Sequence, residues 1–265
     1  MTMPRTMPRT VLAAALLASA AFAGAAQAQT VAALIGDDTL AFVDVGAKKV
    51  ARTVQVTGAP GRLLGIDVRP SDGLLYALAA DGTVLTLDTA SGKATTKSKL
   101  DTMPPAGATA TVDFNPVADR MRVIGSDGTN LRANVDDGKV TRDGALKFAE
   151  ADAMKGGTAK VLAGAYTNPV KGAKETTLYD IDASGSVLRQ APPNDGILNT
   201  VGPLGMPVEA AAFDITTDPA GKSQGWLMAG DTLYAVDLAT GKGAMIARIG
   251  GLPGPVRDIA ALPAL

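Results

Sequence analysis

The hydrophobic pattern of this chain repeats. An apolar strand, a turn, a strand bearing Leu or Tyr, a Gly- or Asp-rich turn and another strand recur with a period of about 47 residues, and periods of about 40 to 50 are typical of propeller blades. The clearest copy spans residues 63–100, and residues 226–249 repeat most of it. A four-stranded sheet cannot bury both of its faces alone, so the units must stack. We therefore predict an all-β fold, a five-bladed β-propeller.

In each unit the first strand is the most apolar, which predicts that it lies innermost, along a central channel. The predicted inner strands are residues 63–69, 109–115, 162–168, 210–216 and 256–262. The last has no strands after it, whereas the early strands 31–35, 39–43 and 50–56 lack an inner one. We predict that the C-terminal strand pairs with the N-terminal blade and removes the free edges. The predicted blades are residues 31–56 with 256–262, 63–100, 109–146, 162–191 and 210–250.

The first 28 residues have the pattern of a secretory signal peptide. Arg5 and Arg9 supply the positive charge, residues 11–26 the apolar stretch, and residues 26–28 the small-x-small cleavage pattern. The apolar stretch is shorter than the roughly 20 residues that span a bilayer. We expect cleavage near Ala28, a single domain at residues 29–265 without a membrane span, and a periplasmic or secreted location; an uncleaved anchor is the alternative.

Composition narrows the available chemistry. The chain of 265 residues contains no cysteine and no histidine. Disulfides, lipid attachment to cysteine, His-containing catalytic triads, His-ligated zinc and His-ligated haem are therefore excluded. The formal net charge is −1 and no basic run occurs, which argues against a nucleic-acid partner. Carboxylate, hydroxyl, amine and guanidinium chemistry remains.

Four segments carry a resemblance to a known family: residues 114–138, 165–182, 192–205 and 231–243. Together they resemble the DUF4394 family, a group of uncharacterised, exported, propeller-like bacterial proteins. The first and third segments are long and irregular, so they are the more specific ones. The resemblance implies fold and location; the family has no agreed activity or catalytic residues to transfer.

Aspartates recur on the predicted inner strands. Asp67, Asp113 and Asp214 occupy similar positions, Asp258 lies near the start of the fifth inner strand, and Tyr166 replaces the aspartate on the third. Side chains at like positions converge in a propeller channel, where carboxylates can bind Ca²⁺ or act as an acid–base pair. The alternative, which we favour, is structural: each Asp accepts backbone N–H bonds in a turn or pairs with an arginine.

Two further polar groups are candidate ligand contacts. Arg122, Asn130 and Arg132 lie on two neighbouring strands at spacings of two, so they project as a patch suited to a carboxylate or phosphate. The alternative, again favoured, is an Arg–Asp ladder between blades with partners among Asp113, Asp119, Asp136 and Asp137.

The segment 192–205 is interpreted as a long insertion between blades, and it carries Asn194, Asp195 and Asn199. Such insertions often hold binding sites or interfaces. An ordinary turn that caps the core explains the same residues equally well, so both interpretations stay open.

These observations favour a non-enzymatic binding or interaction module whose partner is an unidentified protein or small molecule, with no cofactor. The alternative is a carboxylate-dependent, divalent-metal hydrolase or lyase in the central channel, with Ca²⁺ as the ion and Asp67, Asp113 and Asp214 as its ligands.

Overall fold

The computed structural model describes residues 29–263, so the predicted signal peptide at residues 1–28 lies outside it. The chain in this range forms five β-sheets. The strands that begin the first sheet are β1 (Thr30–Ile35), β2 (Thr39–Asp44) and β3 (Lys49–Gln55). The second sheet contains β4 (Leu63–Val68), β5 (Leu75–Ala79), β6 (Thr83–Leu87) and β7 (Ala94–Lys99).

The remaining sheets repeat this arrangement. The third contains β8 (Ala110–Asn115), β9 (Arg120–Gly125), β10 (Asn130–Ala133) and β11 (Val140–Arg142). The fourth contains β12 (Lys147–Phe148), β13 (Val161–Tyr166), β14 (Leu178–Asp182), β15 (Ser186–Gln190) and β16 (Ile197–Pro203). The fifth contains β17 (Ala212–Thr217), β18 (Ser223–Ala229), β19 (Thr232–Val236) and β20 (Gly243–Arg248), and the final strand is β21 (Val256–Ala261).

The final strand closes the ring. β21 pairs antiparallel with β1, which gives the first sheet the order β21-β1-β2-β3. The innermost strands β21, β4, β8, β13 and β17 contact one another in a closed circle. The prediction of a five-bladed β-propeller, with the C-terminal strand completing the N-terminal blade, is confirmed. Among residues 29–263, no helix is long and apolar enough to cross a membrane.

Tight turns attach neighbouring sheets to one another. Gly138 adopts φ +76°, and a side chain on it would collide with the carbonyl of Lys99 in the preceding sheet. Gly92, also at φ +76°, lies in the same way against Gln55. Only glycine combines this backbone conformation with so close an approach. The recurring glycine before the outermost strand is therefore an attachment point between blades.

The segment 192–205 is not an inserted loop, and that interpretation is corrected. Residues Ile197–Pro203 form β16, the fourth strand of its sheet, and only Pro193–Asp195 form a short 3₁₀ turn before it. The fourth sheet therefore extends to Pro203, beyond the predicted boundary at 191. β12 joins the outer edge of β16 in parallel, so a segment that follows the third sheet is bound to the fourth.

Apolar side chains fill most of the space between neighbouring sheets. The first and second sheets share a large cluster around Leu34, Phe42 and Ile66. Between the third and fourth sheets the apolar clusters are smaller, and polar side chains occupy part of the boundary. This boundary and the channel hold the candidate functional residues.

Candidate functional site

The inner strands bring three of the predicted aspartates together. Asp67 lies on β4, Asp113 on β8 and Asp214 on β17, and each is at most 7% exposed. One carboxylate oxygen from each lies within 4.8 Å of the others. Asp258 on β21 is 3% exposed. The repeat thus places carboxyl groups from different blades in one channel.

Each of these carboxylates bridges two inner strands. Asp67 Oδ2 accepts the backbone N–H of Phe114 at 2.7 Å, and Asp113 Oδ1 accepts that of Tyr166 at 2.9 Å. The same bond joins two further pairs: Asp214 Oδ2 to Ala261 N–H at 2.6 Å, and Asp258 Oδ2 to Ile66 N–H at 2.9 Å. The donors belong to the neighbouring blade, and not to a turn or an arginine as the structural interpretation expected.

Four of the five boundaries between inner strands are bridged in this way. The exception is the boundary between β13 and β17, where Tyr166 stands in place of an aspartate. There Thr217 Oγ1 accepts the backbone N–H of Asn168 at 3.0 Å. A side-chain acceptor therefore joins each neighbouring pair of inner strands, whichever residue provides it.

Burial perturbs the channel carboxyl groups. Loss of water raises the pKa of Asp67, Asp113 and Asp258 well above its usual value, and the neighbouring carboxylates add to the effect. Burial also raises the pKa of Asp214 to about 6, against the opposing hydrogen bonds from Ala261 and Ile215. In the described part of the chain, none of these four forms a salt bridge. The channel therefore favours a positive counter-charge, either a proton or a cation.

A cavity of about 540 Å³ opens where the inner strands end. Asp67 and Asp214 lie in its wall, together with Val68, Ile215 and Trp226. Asp214 and Trp226 are directly opposite each other on β17 and β18. The indole N–H donates to Thr216 Oγ1 at 2.8 Å, which holds the ring in place.

Trp226 was not among the predicted site residues, because a single tryptophan belongs to no recognisable motif. Its position opposite Asp214 in a hairpin was the signal that could have identified it.

Arg122 lies at the boundary between the third and fourth sheets and is 2% exposed. Its Nε donates to Tyr166 Oη at 3.1 Å, and its Nη1 donates to Asn130 Oδ1 at 2.8 Å and Asp143 Oδ2 at 2.6 Å. Its Nη2 donates to Asn194 Oδ1 at 2.9 Å. Four of the five guanidinium N–H groups are therefore used inside the protein.

The acidic partner in this network differs from the predicted ones. Asp143 accepts bonds from both Arg122 and Arg132, the latter at 2.6 and 2.8 Å. Asp119 and Asp136, which were predicted partners, instead bind Arg69, a buried residue that the sequence analysis missed. Asp113 belongs to the channel. Arg122, Arg132 and Asp143 all belong to the third blade, so their ion pairs lie within one blade. The Arg–Asp contacts that join two blades are those of Arg69 in the second with Asp119 and Asp136 in the third.

The other candidate ligand contacts surround this network. Asn130 Nδ2 donates to the carbonyls of Gly144 and Pro193, which ties the turn 193–195 to the third sheet. Asn199 Nδ2 donates to the carbonyl of Ala191 at 3.0 Å, and Asp195 is exposed. Their role in contacting a ligand stays a prediction.

The same boundary contains a carboxyl group that the sequence analysis did not select. Asp180 on β14 is fully buried, and neither of its carboxylate oxygens has a hydrogen-bond partner within residues 29–263. Burial raises the pKa of Asp180 to about 8, although the charge of Arg122 opposes this. Gln190 Oε1, on the same face of the fourth sheet, also has no hydrogen-bond donor among the described residues. Asp180 therefore favours its protonated form at neutral pH.

The fold and this arrangement define a class: a five-bladed β-propeller with a carboxylate-lined channel. The chain belongs to the DUF4394 family, a domain of unknown function, which it matches over residues 39–260. No curated protein matches this chain in sequence.

Three solved structures similar to this chain come from Bacteroides species. A protein of unknown function from Bacteroides thetaiotaomicron has 16% identity and a TM-score of 0.54, with 89% of this chain and 65% of that chain covered. A protein of unknown function from Bacteroides caccae has 13% identity and a TM-score of 0.45, over 82% of this chain and 72% of that chain. An auxiliary nutrient binding protein from Bacteroides thetaiotaomicron has 15% identity and a TM-score of 0.45, over 71% of this chain and 50% of that chain. Similarity at this identity concerns the fold alone.

Proposed function

We propose that this protein is an exported, non-enzymatic binding protein and that the cavity at the channel mouth takes a small organic ligand. The observation that carries the proposal is the cavity itself. Its volume of about 540 Å³ lies within the range of about 300–1,000 Å³ found for small-molecule sites. Its wall combines apolar side chains with a few polar groups, as such sites do.

A binding role without catalysis is supported by the way the channel carboxylates are used. Both oxygens of Asp67 and both of Asp214 accept backbone N–H bonds. These bonds commit part of the acceptor capacity of each carboxylate to the scaffold, and they oppose its uptake of a proton. Export is supported by the pattern of residues 1–28, in particular Arg5, Arg9 and the apolar stretch that follows them.

The test is a thermal-shift screen of the protein against sugars, organic acids and amines, repeated on a variant whose cavity is blocked. Val170 is 49% exposed on the cavity wall, so Val170→Trp adds bulk there without altering a strand. Leu74→Trp is the matched control, because Leu74 is 50% exposed and lines a different cavity. A ligand of the channel mouth should raise the melting temperature of the wild type and of Leu74→Trp, and not that of Val170→Trp.

The proposal fails if no compound in the screen stabilises the wild type, or if every compound that does so stabilises Val170→Trp equally.

A second candidate, a hydrolase or lyase that uses a divalent metal, is favoured by one observation. The carboxylate oxygens of Asp67, Asp113 and Asp214 lie within 4.8 Å of one another, a separation that one Ca²⁺ with ligand distances of about 2.3–2.6 Å can bridge. Asp113 is the best candidate ligand for Ca²⁺, since only one of its oxygens accepts a hydrogen bond from the described residues. CaCl₂ should then raise the melting temperature, a chelator should reverse the gain, and Asp67→Asn and Asp113→Asn should abolish it. A melting temperature unaffected by CaCl₂ would eliminate this candidate.

A further inference from the structure

We propose that the ligand of the channel-mouth cavity carries an ammonium group on an apolar body, with the ammonium bound between Asp214 and Trp226. This inference rests on the proposed function, since it assigns a chemical class to the ligand of the same cavity.

The charges around the cavity select a cation. Asp67, Asp214 and Asp218 lie in its wall, and Lys222 at the rim is the single basic residue among the lining residues that the structure describes. Asp67 and Asp214 are buried and have no basic partner in the described chain, so a cation in the cavity supplies the positive charge that a proton would otherwise supply. A buried carboxylate without a counter-ion is costly, and an ammonium group supplies that counter-ion.

Trp226 makes an organic ammonium a better match than a bare ion. Directly opposite residues in an antiparallel pair have Cβ atoms about 5 Å apart, so the indole of Trp226 stands beside the Asp214 carboxylate. The proposed site between these two side chains requires the cation to approach the indole face to within roughly 6 Å, the range over which tryptophan attracts a cation. The bond to Thr216 fixes the orientation of the ring before any ligand enters.

The rest of the wall accommodates an apolar body. Val68, Val170 and Leu262, each at least partly exposed, line the cavity beyond the carboxylates. A hydrated metal ion makes no use of these side chains, whereas the alkyl chain of an amine buries them from water. The combination of acid, aromatic ring and aliphatic wall is thus complementary to an alkylammonium ion.

The test uses three probes that share one apolar body and differ in charge: n-pentylammonium, 1-pentanol and pentanoate. Their affinities are measured by isothermal titration calorimetry on the full folded chain, with CaCl₂ alone as a fourth probe. We expect n-pentylammonium to bind at least about tenfold more tightly than 1-pentanol, because a hydrogen bond between charged groups is stronger than one from a neutral hydroxyl. Pentanoate should bind weakest, since its charge has the same sign as that of the cavity carboxylates. Val170→Trp should abolish the binding of n-pentylammonium.

Three variants measure separately how the Asp214 carboxylate, the Trp226 indole and the Lys222 charge contribute to binding. Asp214→Asn, if its melting temperature shows that it folds, should remove the preference for n-pentylammonium over 1-pentanol. Trp226→Leu should weaken n-pentylammonium about threefold to tenfold, the value of an aromatic contact to a cation. Lys222→Gln alters only an exposed side chain and should strengthen n-pentylammonium while weakening pentanoate.

The outcomes distinguish the inference from the proposed function. If 1-pentanol or pentanoate binds as tightly as n-pentylammonium and Val170→Trp blocks it, the cavity is a ligand site but the ammonium assignment is overturned. If CaCl₂ binds and n-pentylammonium does not, the assignment is overturned in favour of a metal. If no pentyl probe binds, the assignment also falls, and the broader screen with Val170→Trp decides the proposed function by itself.

Discussion

The replacement of Asp180 by asparagine should stabilise the protein at neutral pH and should remove part of its pH dependence. Asp180 is fully buried without a hydrogen-bond partner in the described chain, and burial raises its pKa from 3.8 to about 8. The unfolded chain releases this proton above pH 3.8, whereas the folded protein keeps it up to pH 8. The folded state therefore binds more protons between these values, and stability falls as the pH rises through this window.

The size of the effect follows from the same two pKa values. Each tenfold difference in proton affinity corresponds to about 1.4 kcal/mol. At pH 7, where the unfolded chain is ionised and the folded protein is protonated, the cost of retaining Asp180 is about 4 kcal/mol. At pH 5 the same calculation gives about 2 kcal/mol. An asparagine remains neutral at every pH, so Asp180→Asn avoids this cost.

The assay is urea unfolding of the wild type and of Asp180→Asn at pH 5, 6, 7 and 8. The difference between the two free energies of unfolding isolates Asp180, because the channel carboxyl groups contribute equally to both proteins. The control is Asp237→Asn, an exposed site where the backbone N–H of Ala239 lowers the pKa of Asp237. Asp237 is ionised in both the folded and the unfolded state between pH 5 and pH 8, so the stability difference of this variant from the wild type should not change with pH. A stability difference for Asp180→Asn that is the same at pH 5 and pH 8 would refute the reasoning.

Three further predictions concern the contacts that join the blades, and each is measured as a free energy of unfolding at pH 7. Arg122→Ala should destabilise by about 3–5 kcal/mol because it breaks a buried ion pair, and a loss no larger than that of the more exposed Arg132→Ala would contradict this. Gly138→Ala should lower the free energy of unfolding by more than the roughly 1–2 kcal/mol expected from its positive φ alone, since its new side chain meets Lys99. The control is Gly73→Ala, at φ +74° with open space around it, which should show only the conformational cost. Equal losses of stability in the two variants would count against the role of Gly138 as an attachment point between blades. Thr217→Val should lose about 1 kcal/mol or more because Asn168 N–H is left without its acceptor, whereas Thr217→Ser should retain the bond; the prediction is wrong if the two variants are equally stable.

The repeat in the sequence was sufficient to predict the architecture. Strand alternation and turn residues are local signals, and their recurrence at a constant spacing predicts the strands and turns of each blade separately. The unmatched strands at the two ends of the repeat then required the closure of β21 on β1. The repeat also predicted that Asp67, Asp113 and Asp214 share one channel, because residues at equivalent positions in stacked blades converge there.

What the chain by itself determined is therefore the fold, the closure of the ring and the set of side chains that face the channel. The tertiary structure decided which atoms these side chains meet. Arg122 pairs with Asp143, and Asp67 accepts the backbone N–H of Phe114 in the next blade. Both pairings depend on spacing and register in the folded structure, which the local sequence does not specify. The cavity beside Trp226 and the isolation of Asp180 have the same origin: both arise where several blades meet, and no local pattern of residues describes that space.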